Sequence, residues 1–170
     1  MGKLMLKFGD FNQAEELYNE LLDNPFNDSD RAYIYYKLES LKNNQDKYEE
    51  AVTFYEKVLE INRKTPPEDD ASLAPTYRNI GLIYHKMDNY SKALKFYEKS
   101  HEIQEKTLPP THSYFTTSYN NIGHVYQNIG DYAKALEFYE KTMEIDKKTL
   151  PPNHPDVCVG VTAATSLILS

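Results

Sequence analysis

The sequence predicts an all-α protein, a superhelical solenoid built from antiparallel helix pairs. Three observations carry that expectation. The chain repeats itself: residues 77–110 and 119–152, 42 residues apart, are identical at 20 of 34 positions. Within each copy the apolar residues recur at steps of three and four, as on one face of a helix. Each copy also has turn residues in its middle and a proline pair at its end. A helix pair of this kind cannot bury its apolar face alone, whereas stacked copies can.

The copies follow in order along a single domain. Residues 1–28 form a truncated first repeat, in which Phe11, Ala14, Tyr18 and Leu22 match Tyr48, Ala51, Tyr55 and Leu59 at an offset of 37. Residues 29–69, 70–111 and 112–153 form three full repeats, and 154–170 a terminal or capping helix. In the last full repeat Tyr119, Ile122 and Tyr126 mark the first helix, with Gly123 beside them. Asn128 to Asp131 make the turn. Ala135, Phe138, Tyr139, Thr142 and Ile145 mark the second helix. Gly123 and Ala135 are small enough to let the two helices approach closely. Leu-Pro-Pro at 108–110 and 150–152 stops the second helix, because proline lacks an N–H and disfavours helical angles before it. Ser72, Ser113 and Asp156 are expected to cap the following first helices. The first full repeat departs from the pattern: Lys37, Glu39 and Lys42 stand where the others have Asn, Gly and Tyr.

Composition narrows the function. The chain has 170 residues and a net charge of −7, which argues against a dedicated nucleic-acid binder. With 15 Tyr and 7 Phe it lacks the aromatic-poor profile of disorder. Cys158 is the single cysteine, so no intrachain disulfide forms and a reducing compartment is expected. Val157 to Leu169 is too short to span a bilayer. The expectation is a cytoplasmic protein with no membrane and no nucleic-acid partner.

The chain carries no constellation of residues that points to chemistry. None of His85, His101, His112, His124 and His154 has a metal-ligand spacing, and no phosphate-cradling glycine motif occurs. His112 and His154 recur one repeat apart in the linkers, which suits a cap or loop contact better than a metal site. The carboxylates follow the solvent faces of the second helices, where Glu98 and Glu102 can pair with nearby lysines. No catalytic residue, metal ligand or cofactor is expected, and the chain reads as a non-enzyme. The triplets at 27–29 and 89–91 match the glycosylation pattern by chance.

The order aromatic, Ile-Gly, Tyr, turn, Tyr, Ala, Tyr resembles the tetratricopeptide repeat. The 42-residue period, Asn-Asn-Ile-Gly at 120–123 and Asn-His-Pro-Asp-Val at 153–157 resemble its kinesin light chain subtype. That resemblance implies a right-handed solenoid whose first helices line a concave surface. It also implies a non-catalytic adaptor or scaffold that holds a protein or peptide ligand there, with Asn side chains pairing with the ligand's backbone. A carboxamide offers one acceptor and two donors, which suits an extended chain's N–H and C=O.

The candidate binding residues are Arg78, Asn79, His85 and Lys86 in one repeat and Asn120, Asn121, His124, Gln127 and Asn128 in the next, with Leu82 beside them and Lys37 from the first full repeat. Their mixed, slightly basic character favours an acidic peptide or a free carboxylate. The alternative is a regulatory or self-association array cut from a larger enzyme such as a mono-ADP-ribosyltransferase. Two further readings concern the ends: a homodimer through an array end, and a groove occupied by the chain's own Ser-Leu-Ile-Leu-Ser terminus.

Overall fold

A computed structural model of the chain describes residues 11–24, 26–63 and 71–149. The described residues form seven helices and no strand, so the protein is all-α. They are α1 (Phe11–Leu22), α2 (Asp28–Asn44), α3 (Tyr48–Arg63), α4 (Leu73–Lys86), α5 (Tyr90–Thr107), α6 (Ser113–Ile129) and α7 (Tyr132–Thr149). The chain divides into two compact units, residues 1–68 and 69–170.

Helices α2–α3, α4–α5 and α6–α7 are the expected antiparallel pairs. Each pair turns on one residue with left-handed backbone: Asp46 at φ 57°, Asp88 at φ 56° and Gly130 at φ 87°. Glycine takes this conformation without a Cβ penalty, and aspartate is among the residues that tolerate it. The two aspartates are held by the tyrosine two places on, Tyr48 Oη–H donating to Asp46 at 2.6 Å and Tyr90 Oη–H to Asp88 at 2.8 Å. Gly130 offers no carboxylate, and Tyr132, in the matching place, is exposed.

The helix starts correct two of the expected caps, Ser72 and Ser113. Asn27, Asn89 and Asp131 accept an N–H at the starts of α2, α5 and α7. Before α6 the cap is His112, whose Nδ1 accepts from Tyr114 N at 3.3 Å, and Ser113 is the first helical residue. Ser72 stands at the cap position of α4 but with helical angles, φ −64° and ψ −22°, and makes no capping bond. At the other end α5 stops as expected: Leu108, before Pro109, is extended at φ −124° and ψ 150°. Asp156, His154, Cys158 and the second Leu-Pro-Pro lie outside the described residues.

Close approach within each pair comes from the small residues. Ala51, Ala93 and Ala135 are fully buried. A Cβ on Gly81 would lie 2.7 Å from the ring of Tyr97, and one on Gly123 would lie 2.8 Å from Tyr139. Each glycine is therefore the seat of a buried tyrosine ring. Beside it, Phe96 is flanked by Tyr77 at 6.2 Å and Tyr84 at 5.5 Å, and Phe138 by Tyr119 at 6.0 Å and Tyr126 at 5.7 Å.

The first unit closes differently. Phe54 meets Tyr35 at 6.1 Å, but Lys42 takes the place of Tyr84 and Tyr126. Its side chain is buried, with Nζ 2.7 Å from Glu15 on α1 and 2.6 Å from Glu50 on α3. Burial alone would depress the Lys42 pKa. The hydrogen bonds to Glu15 and Glu50 outweigh it and hold the value above the ordinary one. In turn Lys42 lowers that of Glu50.

Candidate functional site

In the second unit α4 and α6 lie side by side, and Asn128 on α6 reaches His85 on α4 at 2.7 Å. The Nδ2 of asparagine can only donate, so the Nε2 of His85 accepts and is unprotonated. Burial, reinforced by the field of His124, lowers the His85 pKa, while Asp88 opposes the shift. The edge of Tyr90 packs against the same imidazole, at 5.9 Å between ring centres.

A second chain of bonds fixes the α6–α7 pair. Tyr139 Oη–H donates to Gln127 Oε1 at 2.8 Å, and the same oxygen lies 2.9 Å from His124 Nδ1. A hydroxyl has one proton. With that proton committed to Gln127, His124 is the donor through Nδ1–H. Burial raises the pKa of Tyr139 to about 12.

The expected site residues therefore sort into two groups. His85 with Asn128, and His124 with Gln127, are tied down within the protein. The amides between them are not. Asn120 and Asn121 are half-buried on α6, and their side chains make no hydrogen bond among the described residues. Asn79 is half-buried on α4 and receives only a long contact, 3.4 Å, from the Arg78 guanidinium. Leu82 and Lys86 are exposed on α4. Lys37 lies in the first unit, on α2, with its Nζ 4.9 Å over the ring of Tyr33. The sequence reading did not include Tyr139, which organises His124 and Gln127. Its signal was there in the recurring Gly and Tyr, one on each helix of a pair.

Family models of the tetratricopeptide repeat match residues 30–106 and 116–156. The chain belongs to the tetratricopeptide repeat family. No curated protein matches it. Among solved structures, BtubC (BKLC) from P. vanneervenii is similar over 99% of this chain and 69% of its own, with TM-score 0.82 and 22% identity. The kinesin light chain-like, nearly identical TPR-like repeats of Podosopora anserina align over 99% of this chain and 82% of theirs, with TM-score 0.79 and 21% identity. The apo form of RapI aligns over 99% of this chain and 60% of its own, with TM-score 0.78 and 17% identity. These are likenesses of fold, and they show the helical-repeat solenoid. Such repeats are protein-interaction scaffolds, a generally non-catalytic class. Among the described residues no helix is long and apolar enough to cross a membrane.

Proposed function

We propose that this tetratricopeptide array is a cytoplasmic adaptor that holds an extended peptide along α4 and α6. Asn79 and Asn121 pair with the peptide backbone, Asn120 assists, and Arg78 and Lys86 favour carboxylates on the ligand. His85, His124, Gln127 and Asn128 act as the frame that fixes the two helices. The observation that carries this reading is the contrast along α6. Gln127 and Asn128 have partners in the protein, while Asn120 and Asn121, half-buried on the same helix, have none among the described residues. A half-buried amide without a partner is a ready hydrogen-bonding site, and its immobile surroundings lower the entropy cost of using it.

A peptide-array screen with the wild-type chain and with Asn79→Ala plus Asn121→Ala tests the reading. Each lost bond is expected to cost on the order of 1 kcal/mol, so the pair should weaken binding roughly thirty-fold with helical content unchanged. Unaltered affinity in the double variant would overturn it.

A further inference from the structure

The other end of α4 carries a feature that the peptide reading does not use. A pocket of about 200 Å³ opens there, lined by Ala74, Pro75, Gln104, Thr107, Leu108 and Tyr114 among others. Ala74 is eleven residues from His85, about 16 Å along the helix at 1.5 Å per residue. Most of the lining is apolar. The Thr107 hydroxyl is already committed to Ile103 O at 2.8 Å, and Tyr114 stands at the exposed rim. Gln104 is 3% exposed, and its Oε1 is buried without a hydrogen-bond partner. Such an acceptor loses its bonds to water and gains nothing in return.

One repeat further on, the corresponding acceptor has a partner. Thr116 stands where Ala74 stands, and Asp146 where Gln104 stands. There the Thr116 hydroxyl donates to Asp146 Oδ1 at 3.2 Å. In the second full repeat the threonine is an alanine, so the hydroxyl is missing and the acceptor at 104 is left waiting.

We propose that this pocket is a second docking site, which takes a tyrosine side chain from a partner protein. The apolar walls and the volume suit one aromatic ring. The phenolic hydroxyl replaces the one that Thr116 supplies in the neighbouring repeat. A hydroxyl can donate to Oε1 and also accept from Nε2, so it satisfies either end of the Gln104 amide. The last torsion of glutamine is broad, so the amide can turn to meet it. An apolar body with one polar tip is the chemistry of tyrosine.

The test uses the ¹⁵N-labelled full chain and two probes, N-acetyltyrosinamide and N-acetylphenylalaninamide, followed by NMR. The tyrosine probe should shift the Gln104 side-chain amide and the backbone amides of Ala74 and Thr107, and should bind roughly fivefold more tightly than the phenylalanine probe. Ala74→Thr should abolish binding of both probes, because the added side chain enters the pocket and its hydroxyl can reach Gln104 as Thr116 reaches Asp146. Gln104→Leu should keep both but erase the preference between them. If Ala74→Thr does not fold, the preference lost in Gln104→Leu decides. No shift in the wild type, equal affinity for the two probes, or undiminished binding to folded Ala74→Thr would overturn the site. The same resonances moving with protein concentration alone would put Tyr33 or Tyr132 of a second copy in the pocket and overturn the partner assignment.

Discussion

The first and second units share one repeat period but close their helix pairs by different physics. In the second unit a glycine seats a tyrosine ring and three aromatic rings pack beside it. In the first, Glu39 stands in the glycine's place and Lys42 in a tyrosine's. Both are buried, and Lys42 binds two carboxylates. The aromatic arrangement needs only shape. The ionic one needs every charge matched, because an unpaired buried charge is far costlier than a void. A finer contrast lies within the second unit. Tyr97 and Tyr139 are one repeat apart and equally buried, yet Tyr97 Oη has no partner and Tyr139 Oη has two. The cause is local. Leu82 replaces His124, and His85, in the place of Gln127, is drawn away to Asn128.

The largest effect should come from breaking the ionic closure on one side. Glu15→Gln with Glu50→Gln leaves the Lys42 ammonium buried between neutral amides, and chemical denaturation should show a loss of about 3 kcal/mol. Lys42→Met removes the buried charge instead and leaves two partly exposed carboxylates, so it should cost far less. Equal losses would mean that the charges do not govern the first unit.

Next comes the aromatic closure. Gly81→Ala puts a methyl against the buried Tyr97 ring and near Ala93 O, 3.2 Å away. A net destabilisation of about 2 kcal/mol is expected, despite the better helix propensity of alanine. The tyrosine contrast is smaller. Tyr139→Phe should cost about 1 kcal/mol, while Tyr97→Phe should be neutral or stabilising, since it removes an unsatisfied hydroxyl.

The smallest effect is the pH response of His85. Its folded pKa lies below the ordinary 6.5, so its contribution is present above that value and is lost as pH falls through it toward the folded one. Thermal melts between pH 7.5 and 5.5 should show a loss that shrinks in His85→Gln, which carries the third repeat's residue at that place.

Much of this is legible in the sequence. The 42-residue period fixed three helix pairs, their turns and their small-residue contacts, because those depend on spacing and residue size. Capping was misread at Ser113 because His112 is a rarer cap and the hydroxyl next door is the usual one. The burial of Lys42 was not legible. Its two carboxylates sit on different helices, at distances in sequence that no periodicity links. The bond between His85 and Asn128 was hidden for the same reason, so both residues looked like free groove side chains. The positions of Asn79, Asn120 and Asn121 beside the packing stripe followed directly from the helical repeat.

The account's central claim is that the Asn121 amide reads a ligand's backbone rather than its side chains. A double-mutant cycle tests it most directly: a peptide found in the screen, its copy with one backbone amide replaced by an ester, and the wild-type and Asn121→Ala chains, all measured by calorimetry. The claim requires a coupling of about 1 kcal/mol at one backbone position. Additive losses at every position would contradict it.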